Sequence, residues 1–187
     1  MDAKLLEALP VLARLAEAGH RAYFVGGCVR DALLGRPLGD VDIATSARPD
    51  AVMALFPNHA PTGLKHGTVT VFMDGRMYEV TTFRTESGYD DHRRPSDVAF
   101  VDDIETDLAR RDFTVNAMAM DVDGRIVDPF GGKADLARGV IRCVGRPEER
   151  FREDALRMVR AVRFAAELGF RIAPSTWRAL RRNAGLL

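Results

Sequence analysis

Cysteine is scarce in this 187-residue chain, tryptophan occurs once, and an apolar run long enough to cross a bilayer is missing. Cys28 and Cys143 stand alone without CxxC spacing, which excludes a disulfide framework and leaves two reduced, buried thiols. The four histidines show no metal-ligand spacing. With no signal peptide either, the expectation is a soluble cytoplasmic protein with no membrane partner. An excess of one charge is missing too, since 27 Lys and Arg face 27 Asp and Glu. That balance is uneven along the chain. Residues 1–141 hold 16 basic against 22 acidic side chains, a balance of −6, and residues 142–187 hold 11 against 5, a balance of +6. The basic strip suits a polyphosphate or nucleic acid, or else is a solvated helix surface. At 47% apolar content the chain can bury one core with a small appendage.

Residues 26–45, GGCVRDALLGRPLGDVDIAT, organise the rest. An apolar strand over 22–25 precedes a glycine pair, which lets the backbone turn and come close to a ligand. Residues 29–34 read as a short helix whose N-terminal amides suit a triphosphate, with Arg30 adding positive charge. A strand is predicted over 40–43, where alternation turns Asp40 and Asp42 the same way, their Cα atoms roughly 6.6 Å apart. Two such carboxylates suit Mg²⁺.

Elsewhere, residues 4–18 predict an amphipathic helix with Leu5, Leu9, Leu12 and Leu15 on one side, kinked or restarted near Pro10. A helix over 49–55 follows Ser46, a candidate cap. Strands over 69–72 and 77–83 flank Asp74-Gly75 as a hairpin, with Glu79 projecting from one face of the second. Residues 84–107 read as a mobile polar surface loop, and 119–127 as another hairpin. The string RRDFTVNAMA over 110–119 offers guanidinium groups for phosphate, with a carboxylate and an amide for ribose hydroxyls. A helix is predicted over 150–164, burying Leu156, Val159, Val162 and Ala166. Asp154 and Arg157 are neighbours at i, i+3, and an ordinary salt bridge is the plain reading of such a pair.

These motifs, in this order, resemble those of class II tRNA nucleotidyltransferases and bacterial poly(A) polymerases, in the superfamily of DNA polymerase β. The resemblance implies an α+β fold: a polymerase β-type head with a mixed, mostly antiparallel sheet flanked by helices, over residues 1–138, then a helical neck segment over 139–187. It implies catalytic carboxylates at Asp40, Asp42 and Glu79, with Asp40 and Asp42 holding Mg²⁺. It places Gly27, Arg30, Arg111, Asp112, Asn116, Asp154, Arg157, Arg160 and Arg163 at the nucleotide. Arg163, nine residues and about 900° from Asp154, falls on the opposite side of a regular helix. Residues 128–132, DPFGG, resemble the family's hinge motif, with backbone freedom at Gly131 and Gly132.

The chemistry of the bases supports the Asp154 and Arg157 assignment. Cytosine and adenine each present an amine beside a ring-nitrogen acceptor, so a fixed carboxylate and guanidinium accept both and leave uracil and guanine mismatched. The implied activity is template-independent addition of C, C and A to the 3′ end of the tRNA acceptor arm from CTP and ATP, with release of pyrophosphate. The KHGTV turn over 65–69 favours the CCA branch, and an intact loop argues against a CC-only enzyme. An A-only enzyme, a poly(A) polymerase and a nucleotide-binding module without turnover remain as alternatives. Family members continue into a helical body and tail that this chain lacks, so it reads as a fragment, an engineered minimal head or a short relative. Oligomeric state is left open.

Overall fold

The computed structural model describes residues 1–89 and 97–187. Helix α1, Ala3–Glu17, is capped by Asp2, whose carboxylate accepts from the Lys4 amide at 2.8 Å. Leu5, Leu12 and Leu15 are fully buried at helical spacing. The expected break at Pro10 does not occur, because Pro10 lies on the exposed side and the buried leucine face holds the helix together on both sides of it.

Strand β1, Ala22–Val25, leads into α2, Gly27–Leu33, which starts two residues before its predicted beginning. Strand β2, Asp42–Thr45, also departs from expectation: Asp40 and Val41 precede the ladder, so strand alternation does not fix Asp40. Helix α3, Pro49–Leu55, matches, but its N-cap is Arg48, and the Ser46 hydroxyl instead accepts from the Arg21 amide at 2.9 Å. Strand β3, His59–Gly63, was not foreseen, since HAPTG shows neither alternation nor branched residues beyond one threonine.

Strands β4, Thr68–Met73, and β5, Arg76–Thr82, form the predicted hairpin. Asp74 and Gly75 both have positive φ, 51° and 73°, as a two-residue turn of this hand requires. Strands β6, Arg84–Ser87, and β7, Asp97–Phe100, pair with each other, and α4, Ile104–Ala109, follows. The predicted loop over 84–107 is therefore structured at both ends, its polar side chains Arg84 and Glu86 being half-buried in ion pairs. Its centre, with Asp90, Asp91, His92, Arg93, Arg94 and Pro95, lies outside the described residues.

Strands β8, Ala119–Met120, and β9, Ile126–Val127, make the second hairpin. Beyond them come α5, Gly132–Arg138, and β10, Val140–Ile141, then α6, Pro147–Glu153, and α7, Leu156–Leu168. Strand β11, Arg171–Ile172, runs parallel to β10, and α8, Pro174–Asn183, follows.

The main sheet has seven strands in the order β3-β4-β5-β2-β1-β8-β9. Only β2 with β5 is parallel in it, so the sheet is mixed and mostly antiparallel, as expected of this α+β chain. Phe24, Ile43, Val69, Val71 and Val80 share one buried cluster with the leucines of α1 and with Phe113, Phe151, Met158 and Phe164. The sheet and the C-terminal helices thus rest on a common core.

Two corrections concern residues 150–164. The single predicted helix is two, broken at Asp154, whose backbone is extended (φ −140°, ψ 107°). The buried face is also the other one. Leu156, Val159 and Val162 are 44%, 51% and 50% exposed and Ala166 is exposed, whereas Arg157, Met158, Ala161 and Phe164 are buried. Both stripes have helical spacing, and burial follows the one whose guanidinium finds a carboxylate. Among the described residues, no helix is long and apolar enough to cross a membrane.

Candidate active site

The parallel pairing of β2 with β5 sets Asp42 directly beside Glu79. Adjacent residues in register share a face, so the two carboxylates crowd each other. Asp40, outside the strand, completes a small cavity of about 150 Å³ lined by Asp40, Asp42, Thr70, Met77 and Glu79. Burial, then Glu79, and lastly Asp40 push the Asp42 carboxyl up to about 6, against the opposing pull of Arg111. Among the described residues no three acidic, His or Cys side chains form a preassembled metal cage. Asp42 and Glu79, adjacent in register, are the oxygen donors that a hard divalent ion such as Mg²⁺ could take, with water and substrate phosphates completing its shell.

On its other side Asp42 lines a cleft of about 430 Å³ together with Gly26, Gly27, Arg30, Arg110, Arg111, Asp112, Asn116, Asp154, Arg157, Arg160 and Phe164. Gly26 has φ of 73°, where any side chain is strained, and a Cβ there would lie 3.2 Å from the Arg111 guanidinium, so the backbone passes close to that group. Arg30 is bidentate to Asp31 at 2.9 Å, donates to the Asn116 side-chain oxygen at 2.8 Å and stacks 5.2 Å from the Phe164 centroid. Arg160 covers the same ring at 5.2 Å and pairs with Asp112 at 2.6 Å.

The predicted pair at the head of α7 is arranged differently from the expectation. Arg157 pairs with Glu153 at 2.7 Å and donates to the Arg110 carbonyl at 3.3 Å, so it is fixed before any ligand arrives. Asp154 makes no bond to it through its side chain. Its Oδ1 accepts from the Leu156 amide at 2.9 Å, holding the first turn of α7, while the side chain still lines the cleft. Arg163 lies outside the lining residues, stacked on Phe164 at 4.9 Å and 3.6 Å from Glu167. Gly26 and Arg110 entered the sequence reading only as members of the glycine pair and of the arginine pair, and Phe164 had no role in it. Arg110 stood in the RRD string, and Phe164 follows Arg160 by one helical turn, so both carried a signal.

Beneath the cleft, Arg111 pairs with buried Asp107 at 3.2 Å, which also binds Arg110 at 3.1 Å and the Arg84 amide. Glu86 joins Arg110 at 3.1 Å and Arg84 at 2.8 Å. Burial alone would raise Asp107, but Arg110 and Arg111 outweigh it and hold the carboxyl below its ordinary value. Such a depressed group stabilises the fold above its unfolded value of 3.8, and the gain is lost as pH falls through the lower folded value. Asp42 acts oppositely, adding stability as pH falls below about 6, so a comparison of variants is needed. In thermal denaturation, Asp107→Asn is expected to be destabilised at pH 7, and its difference from the unsubstituted chain is expected to shrink below pH 3.8. A pH-independent difference would refute this charge network.

The hinge expectation for residues 128–132 is also revised. Asp128 binds the amides of Gly132 at 2.6 Å and Lys133 at 3.0 Å, capping α5. A Cβ on Gly132 would overlap the Thr114 carbonyl oxygen and come within 2.8 Å of Met118. Gly132 serves close packing here, not freedom of motion.

A family model described as Poly A polymerase head domain matches residues 22–142. The CCA-adding enzyme of Geobacillus stearothermophilus is 60% identical over 97% of this chain, which spans 45% of that relative. The crystal structure of the Bacillus stearothermophilus CCA-adding enzyme in complex with CTP superposes with a TM-score of 0.92 at 56% identity, over 100% of this chain and 45% of that one. A tRNA nucleotidyltransferase complexed with a primer tRNA and an incoming ATP analog gives 0.76 at 34% identity, over 94% of this chain and 50% of that one. The chain thus spans about half the length of the proteins it matches. With the match covering all seven strands of the main sheet and the cleft residues from Gly26 to Asn116, the chain belongs to the poly A polymerase head domain family.

Proposed function

We propose that this chain is the nucleotide-adding part of a cytoplasmic CCA-adding tRNA nucleotidyltransferase, using CTP and ATP and extending an RNA 3′ end by C, C and A. One observation carries the reading: a single cleft holds Asp42 together with Asp154 and Arg157. The similarity to CCA-adding enzymes supports it, and the two free, buried thiols accord with a reducing compartment. The division into a head over 1–138 and a neck over 139–187 is part of the same proposal.

Asp40 and Asp42, with Glu79 beside them, would hold Mg²⁺. When bound, divalent ions make the RNA 3′-hydroxyl more nucleophilic and neutralise the departing pyrophosphate. The 3′-oxygen bonds to the α-phosphorus as the α–β phosphoanhydride breaks. Arg111 and Arg30 with Gly27 face the triphosphate, and Asp112 and Asn116 face the ribose. Asp154 accepts from the exocyclic amine while the fixed Arg157 donates to the ring nitrogen. Arg160 braces Asp112 and Phe164, and Arg163 sits beyond the cleft wall.

Incorporation of labelled CTP, ATP, UTP and GTP into tRNA lacking its 3′ end tests the reading, with C and A expected and U and G excluded. Addition of A alone to tRNA ending in CC would favour an A-only enzyme. Asp154→Asn keeps an oxygen to hold the Leu156 amide but also offers an NH₂, so CTP preference over UTP is expected to fall about tenfold or more. Unchanged preference would remove Asp154 from base recognition. A nucleotide-binding module without turnover is the second reading, and CTP affinity in calorimetry without incorporation would favour it.

A further inference from the structure

Resting on the nucleotidyl-transfer reading, we propose that the open face of β4 and β5 seats the RNA 3′ end, with Met77 and Phe72 as the surface on which its terminal bases stack. Thr70 lies opposite Glu79, and Glu79 opposite Asp42, so three strands present one row across the sheet. Two residues along, Met77 lies opposite Phe72, and the period of a strand puts both on that face. The reverse face carries Val69, Val71, Tyr78 and Val80, all buried. Met77 is nonetheless 69% exposed and Phe72 39%. Two large apolar side chains thus stand in solvent one row from the carboxylates.

The occupant follows from continuity with the site. Met77, Thr70, Glu79 and Asp40 line one cavity, and Asp42 is the residue it shares with the nucleotide cleft. In-line displacement brings the attacking oxygen to phosphorus from the side away from the departing pyrophosphate. A nucleotide in one cavity and an RNA end in the other would meet at Asp42. A flat apolar surface favours stacked bases of any identity, which suits a terminus whose last base changes with each addition.

The test uses the whole chain with Mg²⁺, CTP and a short single-stranded RNA carrying 4-thiouridine at its 3′ end. Photocrosslinks at Met77 or Phe72 are the expected result, and crosslinks confined to Arg178, Arg181 and Arg182 of α8 overturn the proposal. Met77→Ala is expected to weaken RNA binding about fivefold or more while leaving calorimetric CTP affinity and thermal stability unchanged, and Met77→Phe to restore it. Unchanged RNA affinity in Met77→Ala, with CTP still bound, overturns the stacking surface and leaves nucleotidyl transfer standing. Failure of the unsubstituted chain to bind CTP overturns the transfer reading and the stacking surface with it.

Discussion

Asp42→Asn is expected to lower nucleotide incorporation by at least about a thousandfold while leaving the protein as stable as before or more so. The two effects have one cause. Asp42 sits half-buried beside Glu79, and its carboxyl is pushed up to about 6, so at neutral pH it is still mostly ionised, and the metal-free fold bears the cost of that crowded charge. An amide removes that repulsion and also removes the anionic oxygen a divalent ion would need. Incorporation assays with Mg²⁺, set beside thermal denaturation in chelator at pH 7.5, read both quantities. Activity within tenfold of the unsubstituted chain would place the chemistry elsewhere. A large loss of stability would show that Asp42 is structural and leave the activity result uninformative about metal.

Gly132→Ala is expected to have the largest effect on stability, about 3 kcal/mol, or roughly 6–12 °C in melting temperature for a chain of this size. The added methyl group would overlap the Thr114 carbonyl oxygen and press on Met118. Neither neighbour yields easily, because Thr114 is backbone-bonded to Arg142 and its hydroxyl donates to buried Asp135 at 2.7 Å. The same turn carries Asn116, which lines the cleft and accepts from Arg30, so CTP affinity is expected to fall as well. Gly131→Ala provides the contrast. Gly131 has φ of 76° with open space around its would-be Cβ, so it bears backbone strain alone, about 1 kcal/mol. Equal melting temperatures for the two variants would refute the close-packing account.

Parts of the fold and of the candidate site could be read from residue order, and the rest escaped for more than one physical reason. The Asp74-Gly75 turn demands positive φ at both positions, so a hairpin was legible from two residues, and the hairpin in turn placed Glu79 on a strand. Parallel register between β2 and β5 was not legible, because nothing local encodes which distant strand Asp42 will lie beside. Residues 150–164 misled in a different way. Two stripes there have the same period, and hydropathy chose Leu156, Val159 and Val162 over a stripe containing arginine. Burial chose the arginine stripe because Glu153 neutralises Arg157 and the Phe164 ring accepts the guanidinium groups of Arg30 and Arg160. Strand β3 was missed since its bonds come from β4, not from any preference in HAPTG.

One carboxylate both starts α7 and faces the cleft, and this narrows how the protein can change over generations. An apolar replacement at position 154 would fray the first turn of that helix and shift the seat of Arg157 along with it. Change at this cleft-lining position therefore has few neutral steps open to it: only short side chains with an oxygen keep the scaffold. Heredity meets a constraint here that belongs to secondary structure.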